Sequence, residues 1–366
     1  MSFEKIKKNF GFGCMRLPMN GDKVDYDEFN HMIDYFMESG FNYFDTAHGY
    51  IDGKSETAVR ECLVARYNRE DYVLADKLSA WLFEGEEDIV PLFEKQLELC
   101  GVEYFDFYLF HCLNKSTYQK HKKCNSFEIV KGLKEQGKIK HIAMSFHDTA
   151  DILDTILTEQ PCIEAVQLQI NYLDYDDPNV QSKACYDVAI KHGKKVIVME
   201  PVKGGALVNL PEKAADMISG ITSGSQASFA LRYAASFSEV FMVLSGMGSM
   251  DMMRDNIDTM SNFVPFNDSE YAICEELRKI IRETKRIPCT SCNYCADVCP
   301  KHIPISEIFA VYNRYITAKA SCEEAKKLIP QGIGAADCIK CGKCEEVCPQ
   351  GIRIRDCLEK TSEKFG

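Results

Sequence analysis

Two runs of four cysteines near the C-terminus carry the most information in this sequence. They read Cys289-x2-Cys292-x2-Cys295-x3-Cys299-Pro300 and Cys338-x2-Cys341-x2-Cys344-x3-Cys348-Pro349. Two intervening residues let consecutive thiolates reach one metal centre, whereas the step of three carries the fourth thiolate away from the first three. The other ten of the 18 cysteines are scattered singly. The two runs therefore predict metal ligation.

The spacing indicates which cysteines share a centre. In two-cluster ferredoxins the fourth cysteine of each run ligates the cluster of the other run. The segment resembles bacterial-type 2×[4Fe–4S] ferredoxins, although 38 residues separate Cys299 from Cys338. Structural zinc is the alternative, but zinc takes four ligands and does not need a doubled run with a trailing proline. We predict two [4Fe–4S] clusters, with the ligand sets Cys289, Cys292, Cys295 and Cys348, and Cys338, Cys341, Cys344 and Cys299.

The composition is that of an ordinary globular protein. Of the 366 residues, 46% are apolar and 27% charged, which excludes disordered, collagen-like and coiled-coil chains. The formal net charge of −12 argues against a nucleic-acid partner. No apolar run reaches the about 18 residues that span a membrane, and the N-terminus lacks a signal-peptide pattern. We expect a soluble, cytoplasmic protein with no membrane partner, whose cysteines bind metal.

Before residue 265, short β-rich apolar runs alternate with segments of helical period. Phe29, Met32, Ile33 and Phe36, for example, recur at i, i+3 and i+4. Eight strands over about 250 residues favour a closed (β/α)8 barrel. An open doubly wound sheet is the alternative, but no GxGxxG follows a candidate strand. The eight apolar runs are NFGFG, FNYFD, YVLAD, FDFYLF, HIAMSF, AVQLQ, KVIVM and VFMVLSG.

The pattern changes after Pro265. A helix over about 270–284 leads into the first cysteine run, and the segment 305–328 between the two runs again has a helical period. We therefore predict an α/β protein with a TIM barrel over 1–265. A linker helix and a small, mainly helical, ferredoxin-like iron–sulfur domain are predicted over 266–366.

Four polar residues follow three successive predicted strands of the barrel. Asp45 ends the second strand with Tyr50 in the next loop, Lys77 ends the third, and His111 ends the fourth. Catalytic groups of this barrel class lie at the carboxyl ends of strands. Phenol, with a pKa of about 10, is a poor proton donor to a developing alkoxide, and a nearby ammonium lowers that pKa. Asp45 would hold Lys77 charged, and His111 could donate a hydrogen bond to a carbonyl oxygen.

These residues resemble a known family. FDTAHGY, ADK and DFYLFH, with GFGCMRLP near the start, are similar to motifs of the aldo/keto reductases over the first 260 or so residues. The resemblance implies that Asp45, Tyr50, Lys77 and His111 form the catalytic tetrad. It also implies that NADP or NAD binds across the barrel mouth. The positions it implies for the nucleotide are Met15, Arg16, Ser145, Gln169, Glu200, Gly204, Gly205, Ser245, Gly246, Met247, Arg254 and Asn256.

The chain departs from the family pattern around the nucleotide. Many NADPH-using members carry Lys-Ser and then Arg after the eighth strand, where this chain has Gly246, Met247 and Met252. Only Arg254 is left nearby, so NADH and NADPH both stay open. Phe146 replaces the usual Asn, and Met199 replaces the aromatic residue that stacks on the nicotinamide.

The two halves together give three functional hypotheses. The first is a carbonyl oxidoreductase of aldo/keto reductase type, with a small-molecule carbonyl substrate and clusters for electron transfer or structure. The second adds FMN, because hydride carries two electrons and a cluster accepts one, and it has a ferredoxin or another electron carrier as partner. The third is a non-catalytic, redox-sensing barrel. The first is the leading hypothesis. The complete tetrad argues against the third, and bound flavin in the purified protein would distinguish the first two.

Overall fold

The computed structural model describes residues 3–317, 320–330 and 332–365. Eight parallel strands close a barrel in which each strand pairs with its neighbours in chain order and the last pairs with the first. The predicted (β/α)8 barrel is confirmed, and the open sheet is wrong. The barrel strands are β1 (Phe10–Gly13), β4 (Tyr43–Asp45), β5 (Val73–Ser79), β6 (Phe105–Leu113), β7 (Ile139–Phe146), β8 (Ala165–Gln169), β9 (Lys195–Met199) and β10 (Val240–Ser245).

A small antiparallel hairpin, β2 (Met19–Asn20) and β3 (Lys23–Val24), precedes the first helix. Helices alternate with the barrel strands because apolar residues at helical spacing need a sheet face to cover. The helices up to Phe266 are α1 (Tyr26–Glu38), α2 (Lys54–Val59), α3 (Ile89–Cys100), α4 (Lys115–Lys123), α5 (Ser126–Glu135), α6 (Ala150–Glu159), α7 (Ser182–Lys191), α8 (Glu212–Ser219), α9 (Gln226–Ala235) and α10 (Met250–Ser261). The residues Arg60–Val64 extend α2 as a π-helical turn, and single 3-10 turns cover Ala80–Leu82 and Glu86–Asp88. The segment Lys203–Val208 has 3-10 turns interrupted by a kink at Gly204 and Gly205.

The buried residues explain why these elements form. Helix α1 begins after Asp25, whose side chain accepts the backbone N–H of Glu28 as an N-cap, and it buries the predicted apolar stripe. All nine residues of β6 are buried, as expected for a parallel strand covered on both faces. Aromatic and aliphatic side chains such as Tyr43, Phe107 and Ile197 fill the barrel core. Parallel pairing then brings every carboxyl end to one rim of the barrel.

The remaining chain is mainly helical, as predicted. Its described elements are α11 (Asp268–Glu283), α12 (Tyr294–Asp297), α13 (Ile305–Ile316), α14 (Cys322–Leu328), a 3-10 turn (Ala335–Asp337), α15 (Lys343–Glu346) and α16 (Ile354–Phe365). Residues 318–319 of the predicted helical segment 305–328 lie outside the described residues. Ile305, Ile308, Phe309 and Leu358 form the centre of a core that also includes cysteines of both runs.

The chain divides into two compact units. The first comprises the chain up to Pro201 and Ala227–Phe266, and the second comprises Val202–Gln226 and the chain from Asn267 onward. The segment between β9 and α9 thus belongs to the unit that contains the cysteine runs. The sequence-based division between 1–265 and 266–366 stays a prediction. In the described part of the chain, no helix combines the length and apolar character that crossing a bilayer would require.

Candidate active site and metal centres

Lys77 and Asp45 form a buried ion pair on the strands β5 and β4. Lys77 Nζ donates to Asp45 Oδ1 at 2.6 Å and to the backbone oxygen of Thr46 at 2.7 Å. Lys77 is 1% exposed and Asp45 is 3% exposed. Burial lowers the pKa of Lys77, but Asp45 and Tyr50 outweigh burial and raise that pKa above its ordinary value. The ammonium therefore stays charged at neutral pH.

Tyr50 lies in the loop after β4 and is also buried. Its ring centroid is 4.7 Å from Lys77 Nζ and 6.1 Å from the centroid of the His111 ring. Burial raises the pKa of Tyr50 to about 12, whereas Lys77 acts in the opposite direction. The expected effect of Lys77 on the phenol thus has the right sign, but burial is larger, and Tyr50 is protonated at neutral pH.

His111 is held as a neutral imidazole. Its Nδ1 lies 2.6 Å from Ser79 Oγ, and its ring centroid is 5.1 Å from that of Trp81. Burial, with help from Lys77, keeps the pKa of His111 well below its ordinary value. A neutral ring that accepts the Ser79 hydroxyl proton at Nδ1 carries its own proton on Nε2. The structure therefore brings all four predicted tetrad residues together.

The strands are slightly longer at this rim than the sequence suggests. Lys77 and His111 were predicted to end their strands, but β5 continues to Ser79 and β6 to Leu113. Ser79 pairs in register with His111 on the neighbouring strand. This extension places the Ser79 hydroxyl beside the imidazole, a contact that the sequence pattern did not predict.

Two buried carboxyl groups, Glu56 and Asp76, were also missed. Asp76 Oδ1 accepts the backbone N–H of Lys77 at 2.7 Å and Gln96 Nε2 at 3.1 Å, and Glu56 Oε2 lies 2.7 Å from His48 Nδ1. Both carboxyls are fully buried, and one oxygen of each lies within 4.8 Å of the other. Burial and the neighbouring Glu56 raise the pKa of Asp76 well above its ordinary value, and burial raises the pKa of Glu56 to about 7. For Asp76 the available signal was a charged residue inside a strand of buried residues.

Strands β7 and β8 carry two of the residues predicted to bind the nucleotide. Ser145 Oγ accepts the backbone N–H of Cys112 at 2.8 Å, and Gln169 Nε2 donates to Asp174 Oδ2 at 2.6 Å. Ser145 is 1% exposed and Gln169 is 3% exposed. The two side chains are therefore held in fixed orientations on neighbouring strands.

The other residues of this group in the barrel unit lie on the loops after β1, β9 and β10, at the end of β10 and on helix α10. Asn256 Nδ2 donates to Ser245 Oγ at 2.9 Å, and Met247 is fully buried. A Cβ added to Gly246 would lie 3.4 Å from Arg16 Cβ, so the loops after β1 and β10 are in contact. The other members in this unit are half-buried or exposed, and they are Met15, Glu200 and Arg254.

Gly204 and Gly205 lie in the other compact unit. Both have left-handed backbone conformations, with φ of 61° and 92°. A Cβ on Gly204 would lie 2.6 Å from the backbone oxygen of Thr290, between the first two cysteines of the first run. Of these two glycines, both predicted to bind a phosphate, Gly204 packs closely against the first cysteine run in the second unit.

The cysteines of the second unit line two small cavities. Each cavity is lined by three cysteines of one run and the last cysteine of the other run. This grouping is the one that the spacing predicts. One cavity is lined by Cys289, Cys292, Cys295 and Cys348, and the other by Cys338, Cys341, Cys344 and Cys299.

The donor sets fit a cationic cluster. Burial and the neighbouring cysteines raise the pKa of Cys295 above its ordinary value. Burial, Glu345 and Cys338 raise the pKa of Cys344 to about 11. Four thiols packed together oppose one another's ionisation, whereas a cationic metal centre stabilises the thiolates. Quartets of soft sulfur ligands are also the donors that iron–sulfur clusters use.

A barrel with a buried Lys–Asp–Tyr–His set, followed by a thiolate-rich helical unit, defines a class of oxidoreductase with a fused iron–sulfur domain. Comparison with known families agrees with this class. Residues 9–279 match the aldo/keto reductase family, and residues 288–353 match the 4Fe-4S dicluster domain. The chain belongs to the aldo/keto reductase family.

Two curated relatives match parts of the chain. Norsolorinic acid reductase B of Dothistroma septosporum is 41% identical over 61 residues, which are 17% of this chain and 16% of that protein. An aldo-keto reductase of Mycolicibacterium smegmatis is 26% identical over 178 residues, which are 48% of this chain and 59% of the relative. The chain thus spans less than two thirds of the length of either relative.

Solved structures show the same fold. The holo form of aldo-keto reductase AKR11C1 from Bacillus halodurans has a TM-score of 0.62 and 24% identity, covering 74% of this chain and 91% of that one. An aldo/keto reductase from Klebsiella pneumoniae, in complex with NADP and acetate, has a TM-score of 0.60 and 18% identity, with the same coverage of 74% and 91%.

Proposed function

We propose that the protein is an NAD(P)H-linked oxidoreductase that interconverts a small-molecule carbonyl compound and the corresponding alcohol. The observation that carries the proposal is the buried pair of Lys77 and Asp45, with the Tyr50 ring beside the ammonium. The Klebsiella pneumoniae relative was solved with NADP, which supports a nicotinamide nucleotide here. In this proposal residues 1–265 form the reductase domain, and 266–366 form the iron–sulfur domain.

Tyr50 acts as the general acid. As the carbonyl oxygen gains negative charge, the phenol gives it a proton and becomes a phenolate. The Lys77 ammonium, 4.7 Å from the ring centroid, stabilises that phenolate. Asp45 keeps Lys77 charged and oriented through its 2.6 Å hydrogen bond. In the alcohol-to-carbonyl direction the same groups take up the proton.

His111 orients the substrate. In the tautomer whose Nδ1 accepts the Ser79 hydroxyl proton, the proton of the neutral ring is on Nε2, where it can donate to the carbonyl oxygen. Trp81, with its ring centroid 5.1 Å from that of His111, would form one wall of the substrate site.

The residues at the strand ends would hold the nucleotide, which supplies or accepts a hydride when bound. Ser145 and Gln169 would face its carboxamide. The loops after β1, β9 and β10 would hold its phosphates and adenosine, and NADH and NADPH both remain open. The residues assigned to the nucleotide in the barrel unit are Met15, Arg16, Ser145, Gln169, Glu200, Ser245, Gly246, Met247, Arg254 and Asn256.

Tyr50→Phe tests the assignment of the acid. The variant should lose carbonyl reduction while it keeps its iron content, because Phe retains the ring and loses only the hydroxyl. Tyr67→Phe is a matched control, since the Tyr67 hydroxyl bonds to Asp34 on the outer helices. Carbonyl reduction that persists in the Tyr50 variant would reject Tyr50 as the donor.

The second unit would hold two [4Fe–4S] clusters, one in each cysteine-lined cavity. If the crossed ligand sets are correct, Cys348→Ser should disturb the cluster of Cys289, Cys292 and Cys295, and leave the other cluster intact. Cys299→Ser should do the reverse. Iron analysis and electron paramagnetic resonance of both variants test this. Loss of signal from the cluster of the same run would favour an uncrossed arrangement.

The clusters serve either electron transfer or structure. Anaerobic addition of NADH and then NADPH to the iron-loaded protein distinguishes these cases. Bleaching of the cluster absorbance would require a converter between two-electron and one-electron steps, such as bound FMN, and would favour a ferredoxin-type partner. Carbonyl reduction without bleaching would leave a reductase whose clusters do not take part in turnover.

A further inference from the structure

Lys203 is a buried cation in the second compact unit. It is 4% exposed, and its Nζ donates to Gln350 Oε1 at 3.1 Å. Gln350 lines the cavity that Cys348 shares with three cysteines of the first run. The Lys203 ammonium is therefore hydrogen-bonded directly to a residue that lines this cysteine-lined cavity.

The backbone fixes Lys203 in this place. Lys203, Gly204 and Gly205 have consecutive left-handed φ values of 47°, 61° and 92°. A residue with a side chain rarely adopts this conformation, so the surroundings must hold Lys203 in it. Gly204 packs on the backbone of Thr290, which lines the same cavity as Gln350. The segment after β9 is thus fitted to the first cysteine run on the side where Lys203 lies.

Lys301, Lys340 and Arg355 line the other cavity, and all three are exposed. Two of them are paired with carboxylates. The Lys340 side chain is 58% exposed and lies 3.0 Å from Glu359. The Arg355 side chain is 44% exposed and lies 2.7 Å from Glu345. Solvent, salt and the paired carboxylates screen these charges, whereas a buried charge is screened much less. The two cavities therefore have different electrostatic surroundings.

We propose that Lys203 is a buried counter-charge for the cluster bound by Cys289, Cys292, Cys295 and Cys348, and that it raises the reduction potential of this cluster. The proposal rests on the proposed function, because it requires both clusters. One-electron reduction forms and breaks no bond, and it adds one negative charge to the cluster and its thiolates. A buried ammonium stabilises the reduced state more than the oxidised state, since the reduced state carries more negative charge.

The expected effect can be bounded. At an effective dielectric constant of about 20, a unit charge on the order of 10 Å from a redox centre changes its reduction equilibrium constant by about an order of magnitude. For a one-electron couple this corresponds to about 59 mV. Lys203→Met should therefore lower one of the two midpoint potentials by about this amount and leave the other unchanged.

The experiment is an anaerobic dithionite titration of the full-length, iron-loaded protein, followed by electron paramagnetic resonance. Lys203→Arg retains the charge and should keep both potentials. Lys203→Gln retains a donor for Gln350 without the charge, and it replaces Lys203→Met if that variant assembles poorly. Lys213→Met is the matched control, because the Lys213 side chain is 71% exposed in the same unit. The shift should persist at high salt, as expected for a buried charge.

The outcomes separate this proposal from the one on which it rests. If the Met and Gln variants bind both clusters with unchanged reduction potentials, the proposed role of Lys203 is overturned and the proposed function is not affected. Equal shifts of both clusters, or a shift shared by Lys203→Arg, would also overturn it. A higher KM for NADH or NADPH without a change in potential would instead make Lys203 a nucleotide ligand. Failure of the wild-type protein to bind two clusters would reject the proposed function itself.

Discussion

Removing one partner of the Lys77–Asp45 pair should destabilise the barrel far more than removing both. The charged atoms are 2.6 Å apart, and the two side chains are 1% and 4% exposed. At an effective dielectric constant of about 20 their attraction is about 6 kcal/mol. Desolvating two ions costs several kcal/mol each, so the pair contributes little net stability. A single buried charge without its partner has the desolvation cost and no compensation.

Asp45→Asn and Lys77→Met should each lower the free energy of unfolding by about 3–5 kcal/mol. The double variant should lose less than the sum, which gives a coupling energy of about 3 kcal/mol or more. The pKa of Lys77 is raised in the folded state. The contribution of the charged Lys77 to the free energy of unfolding is therefore fully present below the pKa of about 10.4 in the unfolded state. This contribution is lost as the pH rises through the pKa of Lys77 in the folded state. The cycle is measured near pH 7, where the charge is intact.

Urea unfolding followed by tryptophan fluorescence measures this cycle. Trp81 is the single tryptophan of the sequence, and its ring lies 5.1 Å from that of His111, so its signal reports the barrel unit. The exposed pair of Lys183 and Asp187, 2.7 Å apart on α7, is the matched control and should show no measurable coupling. Additive losses at Lys77 and Asp45 would refute the electrostatic account.

Three further predictions concern buried groups. Burial lowers the pKa of His121 to about 3. As the pH falls below about 6.5, this histidine is therefore protonated in the unfolded state but not in the folded state, and the free energy of unfolding decreases. In urea unfolding, His121→Phe should remove about 1.4 kcal/mol of this decrease per pH unit. Burial raises the pKa of Glu56 to about 7. The contribution of the protonated carboxyl to the free energy of unfolding is therefore lost as the pH rises from about 4.3 to 7. Glu56→Gln should make the free energy of unfolding depend less on pH over this range in the same assay. A Cβ on Gly204 would lie 2.6 Å from Thr290, whereas one on Gly205 meets its nearest atom at 4.0 Å. Thermal unfolding should therefore show Gly204→Ala less stable than Gly205→Ala by about 1–3 kcal/mol, and equal losses would contradict the packing argument.

The features predicted best from the sequence are those whose physics is local in the chain. Strands that alternate with helices predict the barrel, because a parallel sheet needs a crossover after each strand. The residue that ends a buried strand must emerge at the carboxyl rim, which is why Asp45 could be placed beside Lys77 and His111. The cysteine spacing likewise fixes which thiolates can converge on one centre, and the two cavities group the cysteines in the same way.

The features that were missed depend on contacts between distant parts of the chain. The motif that contains Gly204 follows a barrel strand, so its glycines read as a phosphate loop. In the structure Gly204 also packs against Thr290, about 90 residues later in the chain, and no local pattern reports such a contact. Asp76 and Glu56 were missed for a similar reason. Aspartate and glutamate are usually exposed, so the sequence suggests surface positions for both. Only the fold shows that Gln96 contacts Asp76 and His48 contacts Glu56 in the interior.

The pKa of Tyr50 shows how this burial bears on catalysis. A phenol whose pKa is raised to about 12 is a weaker acid in the resting site than in water. If Tyr50 is the general acid, as proposed, its negative charge develops only as the substrate oxygen becomes more basic. The attraction between Lys77 and the phenolate is then absent from the ground state and present in the transition state, which is the condition for an interaction to accelerate the chemical step. Loss of the Lys77 charge should consequently lower kcat much more than it changes KM, and a change in KM alone would mean that Lys77 serves binding rather than proton transfer.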